Sequence, residues 1–152
     1  MKALVKYELG ALNVKVMEVE KPKISPDEVL IKVMGAGICG TDLHILTDNS
    51  YPVKPPVILG HEVSGVIEEV GENVKGWKKG DKVVSETYYY TCGNCYFCKT
   101  GSINLCEEKL SIGSGVNGAM AEFVKVPAKN LHSFPESLSF EEACMTEPLV
   151  CC

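Results

Sequence analysis

Apolar and polar residues alternate in several short stretches of the chain, a pattern typical of β-strands that bury one face. These stretches lie at residues 12–16, 29–33, 63–70, 82–87 and 121–126. Glycine and proline residues, which favour turns, separate them. Strands at this density, without helices between them, predict a mainly β domain that is either a barrel or a sandwich.

Helices are predicted at few places. A short helix can begin near Thr41, and another begins after Ser139, because Ser139 and Glu142 have the spacing of a capping box. Thr146, followed by Pro148 at a first-turn position, predicts a further helix start. The chain ends four residues after Pro148. We therefore expect this last element to continue in a longer protein.

Length, composition and charge limit the number of domains, the kind of partner and the cellular location that the sequence allows. The 152 residues, 45% of them hydrophobic, suffice for one domain with its own core but not for two. With 15 basic and 20 acidic residues the net charge is −5, and no basic stripe suits nucleic acid. Charged residues interrupt the apolar N-terminal residues, so we expect neither a signal segment nor a membrane span there, and predict a cytoplasmic protein.

Four of the eight cysteines lie close together, at Cys92, Cys95, Cys98 and Cys106. Without an export signal, this spacing is more typical of a metal site than of disulfides. Short Cys-x-x-Cys loops place two thiolates on one zinc ion, and four thiolates fill its coordination sphere, which predicts a structural zinc. Two disulfides and an iron–sulfur cluster are the alternatives. A ferredoxin run has its last cysteine after three residues and before a proline, whereas here seven residues intervene and Glu107 follows.

Three further candidate ligands, Cys39, His61 and Glu147, are dispersed along the chain. Each has an ordinary structural explanation on its own. A lone cysteine is usually a small buried hydrophobe, a lone histidine is more often a satisfied polar residue, and Glu147 can favour a helix N-terminus. Their spacing alone does not join them into one site.

Six segments of the chain form a combination of motifs when they are taken in order. They are Gly-Ile-Cys-Gly-Thr-Asp-Leu-His at 37–44, Gly-His-Glu-Val-Ser-Gly at 60–65, Val-Gly-Glu-Asn-Val at 70–74, Gly-Asp-Lys-Val-Val at 80–84, Ala-Glu-Phe-Val-Lys-Val-Pro at 121–127 and Glu-Pro-Leu at 147–149. Together they resemble the zinc-containing medium-chain alcohol dehydrogenase family over nearly the whole chain. The resemblance implies that residues 1–152 form a GroES-like catalytic β-barrel with a few short helices and a zinc lobe at 88–110. It also implies that residues 139–152 begin the connection to an absent Rossmann cofactor domain.

The same resemblance implies roles for individual residues. Cys39 and His61 resemble two ligands of a catalytic zinc. Glu62 and Glu147 resemble the carboxylates that complete or exchange in its coordination sphere. A set of cysteine, histidine and carboxylate resembles the polyol, threonine and butanediol dehydrogenase branch more than the ethanol dehydrogenases.

Two further residues resemble a path for protons. Thr41 resembles the hydroxyl that accepts the proton of the alcohol, and His44 the group that relays it to solvent. Without the resemblance, a helix cap and a surface residue are the simpler interpretations. Cys144, Cys151 and Cys152 fall outside the ligand motifs and are predicted to be buried apolar residues.

The implied function is oxidation of a secondary alcohol (a polyol, hydroxy amino acid or diol), with hydride transfer to NAD or NADP on the absent domain. It implies one catalytic and one structural zinc ion, and it implies that the isolated chain is inactive. The full-length protein is expected to be a homo-oligomer, either a dimer or a tetramer. A zinc-stabilised interaction module with only the four-cysteine metal is the alternative from another class, and metal stoichiometry separates the two. The zinc-free reductase branch of the superfamily is disfavoured by the presence of Cys39 and His61.

A glycine-rich stretch, Gly113-Ser-Gly115-Val-Asn-Gly118, has the G-x-G-x-x-G spacing of dinucleotide-binding loops. Such a loop must leave a strand and open a helix. Residues 121–127 alternate and end in proline, so they predict a strand instead. We therefore assign no cofactor-binding residue in this chain and interpret the stretch as a flexible connection after the cysteine lobe.

Overall fold

A computed structural model describes residues 1–47, 50–150 and 152. Its strands are Lys2–Lys6 (β1), Val14–Glu18 (β2), Glu28–Ala36 (β3), Val57–Ile58 (β4), Val63–Val70 (β5), Lys82–Ser85 (β6), Tyr88–Tyr90 (β7), Leu110–Ser111 (β8), Phe123–Pro127 (β9) and Leu131–Ser133 (β10). Its α-helices are Gly40–Thr47 (α1), Tyr96–Lys99 (α2), Phe140–Cys144 (α3) and Thr146–Val150 (α4). Two 3₁₀ turns lie at Ile103–Leu105 and Ala128–Asn130. The domain is mainly β, as predicted.

The described strands form antiparallel sheets, two of which are joined by backbone contacts. One sheet has the order β10-β6-β5-β3-β9, a second has the order β2-β1-β4, and β7 pairs with β8 in a third. Ala3 in β1 forms a bridge with Ala121, and the amide of Leu4 donates to the carbonyl of Met120 at 2.8 Å. These contacts join the first two sheets, and the predicted GroES-like β-barrel is confirmed.

The main core lies against the five-stranded sheet. Its side chains come from alternate positions of the strands, because successive residues of a strand face opposite sides. They are Val29, Ile31, Val63, Ile67, Val83, Ile112, Ala119, Val124, Val126 and Leu131. Full burial of a valine, leucine or isoleucine contributes roughly 1.5–3 kcal/mol relative to exposure. This packed core fixes the positions of β3 and β5, and the candidate ligands lie just after β3 and just before β5.

Most predicted strands are confirmed, with differences near the N-terminus. β5 has the predicted bounds, 63–70. Leu12 lies outside β2, because its φ of 60° places it in a turn. β1 carries no sequence prediction, because charged residues interrupt its apolar pattern. One of them, Lys6, is nevertheless fully buried, and its Nζ donates to the carbonyl of Ile45 at 2.9 Å.

The helices near the C-terminus begin where the sequence predicts. In α3 the hydroxyl of Ser139 accepts the amide of Glu142 at 3.2 Å, and the carboxylate of Glu142 accepts the amide of Ser139 at 2.8 Å, which confirms the capping box. The hydroxyl of Ser64 in β5 donates to the carbonyl of Phe140 at 2.6 Å and fixes α3 on the sheet. α4 begins at Thr146, as predicted. Among the helices in the described ranges, none is long and apolar enough to cross a bilayer.

The cysteines outside the motifs differ in their surroundings. Cys144 is buried, as predicted. Cys152 is exposed, so the prediction of burial is wrong for it. The reason is that α4 has little apolar surface packed against it, with Leu149 69% and Val150 82% exposed. Cys151 lies outside the described residues.

Candidate metal centres

Four cysteine thiols converge in the lobe between β7 and β8. Cys92 lies on the turn after β7, Cys95 caps α2, Cys98 belongs to α2, and Cys106 ends the first 3₁₀ turn. Their Sγ atoms all lie within 4.8 Å of one another. The Sγ of Cys92 is 3.9 Å from that of Cys98 and 3.6 Å from that of Cys106. A tetrahedron with Zn–S bonds of roughly 2.3 Å has edges of about 3.8 Å, so the cysteine cluster fits a structural zinc site.

Backbone amides surround these sulfur atoms. The amides of Cys95, Cys98 and Cys92 donate to the Sγ atoms of Cys92, Cys95 and Cys106, each at 3.4 Å. Amide donors at Asn94 and Cys95 lower the pKa of Cys92 to about 7, whereas desolvation and the neighbouring Cys95 thiol raise the pKa of Cys98 to about 12. Four adjacent thiols resist ionising together, and a bound dication removes that penalty.

The alternatives to zinc, disulfides and an iron–sulfur cluster, require sulfur–sulfur distances different from those around a single ion. All cysteines in the described ranges are free, and the sulfur separations of 3.6 and 3.9 Å far exceed a disulfide bond of about 2.05 Å. In an iron–sulfur cluster the four thiolates are divided among two or four irons, so they cannot all lie as close together as around a single ion. The geometry therefore favours one tetrahedral ion.

A second cluster consists of Cys39, His61 and Glu62. One ligand atom from each of them lies within 4.8 Å of the other two. Cys39 directly precedes α1, and His61 and Glu62 directly precede β5. Antiparallel pairing of β3 with β5 aligns Ala36 with Val63, so the two ends lie side by side. Pairing of distant strands thus joins residues that spacing alone does not unite.

Glu62 occupies space that a glycine leaves open. Its side chain is buried, and a Cβ atom added to Gly37 would overlap its carboxylate. The amide of Gly37 also donates to the Glu62 carbonyl at 3.1 Å. Burial raises the pKa of Glu62, the nearby His61 lowers it, and the charge of Glu147 raises it again. A cation between these groups favours the ionised carboxylate.

The remaining predicted site residues surround this cluster at different distances. The Oγ1 of Thr41 is 3.7 Å from the Sγ of Cys39. His44 is exposed, almost one turn further along α1 and so on the same side of the helix. Glu147 lies outside the 4.8 Å set, although its charge acts on Glu62 and its side chain lines a neighbouring cavity of about 330 Å³.

Residues 25–136 match the family described as alcohol dehydrogenase GroES-like domain. The chain belongs to this family. It is 43% identical over 152 residues to D-arabitol-phosphate dehydrogenase from Enterococcus avium, and 43% identical over 151 residues to sorbitol dehydrogenase from Halalkalibacterium halodurans. The matches cover 100% and 99% of this chain but 43% and 44% of those proteins. The chain therefore spans less than half the length of these relatives.

A solved structure shares the fold of this GroES-like domain. It is a protein from Sinorhizobium meliloti 1021 assigned as a zinc-binding dehydrogenase and bound to NADP, with a TM-score of 0.93 and 37% identity. The match covers 99% of this chain and 43% of that chain. Together with the polyol dehydrogenases among the relatives, it confirms the predicted resemblance to the zinc-containing polyol branch.

The glycine-rich stretch of the GroES-like domain packs against the segment that carries His61. The amide of Gly118 donates to the carbonyl of Ile58 at 2.8 Å, and a Cβ atom on Gly113 would lie 2.7 Å from the carbonyl oxygen of Gly60. Both glycines are buried, so their interpretation as a flexible connection is wrong. They permit close backbone approach. The strand predicted after them is confirmed as β9.

Asp42 connects the Cys39 segment with the segment that carries His61 and Glu62, a role that no sequence motif predicts. One carboxylate oxygen accepts the amide of Cys39 at 3.0 Å, and the other accepts the amide of Gly60 at 3.2 Å. The side chain is 4% exposed. A carboxylate can accept at both oxygens. The signal in the sequence is an acidic residue in the first turn of a helix that begins at a candidate ligand.

We expect Asp42→Asn to weaken metal binding at the Cys39 cluster by about 10–100-fold, as changes behind metal ligands commonly do. The asparagine amide group would face one of the two N–H donors, and that lost charged hydrogen bond costs about 2 kcal/mol of unfolding free energy. Chelator competition and urea unfolding measure the two effects. Asp81→Asn, which changes a carboxylate that accepts the Lys78 amide at 3.0 Å in an exposed turn, is the control. Wild-type zinc affinity in Asp42→Asn would contradict the role.

Proposed function

We propose that this chain is the catalytic domain of a zinc-dependent, NAD(P)-linked dehydrogenase that oxidises a secondary alcohol. The observation that supports this is the Cys39, His61 and Glu62 cluster, with ligand atoms within 4.8 Å of one another. Three protein ligands on a tetrahedral ion leave a fourth position for substrate or water. The related D-arabitol-phosphate and sorbitol dehydrogenases support a polyol as the substrate class.

The donor atoms of both clusters suit zinc, which binds thiolate, imidazole and carboxylate. Cys39, His61 and Glu62 would hold a catalytic ion, and Glu147, at the edge of the site, would exchange with a ligand. The four cysteines of the lobe would hold a structural ion. Zinc, when bound, supplies the positive charge that lowers the pKa of an alcohol hydroxyl.

Residues of this chain would position the substrate and move its proton. Thr41 Oγ1, beside the Cys39 thiol, would accept the proton of the alcohol hydroxyl and pass its own proton on. His44, exposed on the same side of α1, would release that proton to water. The nicotinamide cofactor would supply the hydride acceptor. Residues 139–152 would lead towards the domain that holds it.

The function is tested with the full-length, zinc-loaded gene product. Sorbitol, D-arabitol, threonine, 2,3-butanediol and ethanol are assayed by the formation of NADH or NADPH. We expect kcat/KM for one of the secondary alcohols to exceed that for ethanol by at least about tenfold, within the range that pocket contacts provide. Two bound zinc ions with no oxidation of any secondary alcohol, with either cofactor, would contradict the proposal.

Thr41→Val in the same protein separates proton transfer from binding. Valine keeps the shape of threonine but lacks the hydroxyl. We expect kcat to fall by about 10²–10⁴-fold, the usual contribution of a positioned proton-transfer group, with zinc content unchanged. A kcat close to that of the wild type would remove Thr41 from the path.

A further inference from the structure

A cavity of about 790 Å³ lies between the N-terminal strand β1, the 19–23 segment, the 54–58 segment and β9. None of its lining residues belongs to the Cys39 cluster or is one of the four clustered cysteines. Its size is within the usual range of small-molecule sites, roughly 300–1,000 Å³. We propose that this cavity, named here the lysine cavity, binds a small organic anion, with a compact apolar body and a phosphate or carboxylate group.

The charge of the lysine cavity is opposite to that of the whole chain. Its lining includes Lys21, Lys23, Lys54 and Lys125 but only one acidic residue, Glu20. The chain as a whole has 15 basic and 20 acidic residues. Cations gathered around a concave surface with apolar walls concentrate the electric field there and attract anions.

Two of these lysines have no ionic partner among the residues that the structure describes. The Nζ of Lys21 is 2.8 Å from a carboxylate oxygen of Glu69, and the Nζ of Lys125 is 3.2 Å from a carboxylate oxygen of Glu28. Within residues 1–47 and 50–150, no carboxylate lies within ion-pair distance of Lys23 or Lys54, and both side chains are exposed. These two ammonium groups are available to a ligand.

A buried carboxylate fixes another part of the wall. Glu28 is 7% exposed and accepts hydrogen bonds from the hydroxyl of Tyr89, from the amide of Ser25 at 2.7 Å and from the Nζ of Lys125 at 3.2 Å. Tyr89 and Lys125 both line the cavity. Because their positions are held from behind, this part of the wall is preorganised for binding.

The apolar part of the wall selects for an organic anion. Phe123, Val19 and Val116 line the cavity as partly exposed side chains, and the Nζ of Lys21 lies 4.5 Å from the ring centroid of Phe123. Inorganic phosphate would contact only the lysines. An anion with an aromatic or aliphatic body also covers this apolar surface, and the removal of apolar surface from water favours binding.

The proposal is tested by NMR titration of the zinc-loaded, ¹⁵N-labelled chain with phenyl phosphate, inorganic phosphate and phenol. We expect phenyl phosphate to shift the amide signals of Val116, Asn117 and Phe123. The other two compounds each lack half of the recognised chemistry and should bind at least about tenfold more weakly. Because the site and its test use no residue of the metal clusters, the result is independent of the proposed dehydrogenase function.

Matched double variants locate the interaction. Lys23→Gln with Lys54→Gln should weaken phenyl phosphate binding by about tenfold, because both exposed ammonium groups are removed. Lys78→Gln with Lys99→Gln removes the same charge from exposed positions outside the cavity and should leave the affinity unchanged. The variants change exposed side chains, and unchanged spectra in the absence of ligand verify the fold.

Several outcomes would overturn the proposal. Equal weakening in both double variants would show a general charge effect. Phenol binding as tightly as phenyl phosphate would show that the anion is not recognised. Shifts confined to amides near Cys39 and His61 would place the ligand at the metal cluster instead.

Discussion

Replacement of Cys39 by serine is expected to reduce the zinc content of this chain from two ions to one, because the described residues contain two separate ligand clusters. A thiolate is a strong zinc ligand, whereas a serine hydroxyl stays protonated at neutral pH and binds zinc weakly. The barrel core does not include Cys39, so the fold should persist. Elemental analysis after gel filtration measures the zinc per chain.

The control is Cys144→Ser, which changes a buried cysteine that belongs to neither cluster and should leave two zinc ions bound. In the full-length protein, Cys39→Ser should also lower kcat/KM by at least ~10³-fold, since a metal contributes several kcal/mol of transition-state stabilisation. A single zinc in the fully metallated wild type would favour the interaction module instead. Retention of two ions by Cys39→Ser would contradict the proposed ligand set.

Replacement of Cys98 by serine is expected to unfold the four-cysteine lobe while the barrel stays folded. α2 and the 3₁₀ turn that follows it contain no buried residue, so the lobe has little core of its own. Binding of a structural zinc provides roughly 10–16 kcal/mol in zinc-finger peptides, and we expect it to be the main source of folding energy for this lobe. Trypsin should therefore cleave rapidly after Lys99 and Lys109, which mass spectrometry detects.

The matched control for this change is Cys152→Ser, which removes an exposed thiol outside the lobe and should leave the digestion pattern unchanged. Excess chelator added to the wild type should reproduce the digestion pattern of Cys98→Ser. The idea that metal folds the lobe fails if Lys99 stays protected in the variant and after chelation.

Local patterns determined much of the architecture from the sequence alone. The alternation at 63–70 predicts β5 at its observed bounds, and Ser139 with Glu142 predicts the capping box of α3. The four clustered cysteines predict the lobe site. In each case the interacting groups are close in sequence, so a short window contains the physical cause.

Only the tertiary structure decided what depends on distant contacts. The pairing of β3 with β5 brings Cys39 to His61 and Glu62, and Asp42 joins their two segments through backbone amides. Motif resemblance identified the candidate ligands, but their spacing in the sequence could not place them around one point. The burial of Lys6 and the convergence of lysines at one cavity also depend on contacts between residues that are distant in sequence. Such features depend on which strands pair and in which register, and a local pattern of apolar and polar residues does not specify either.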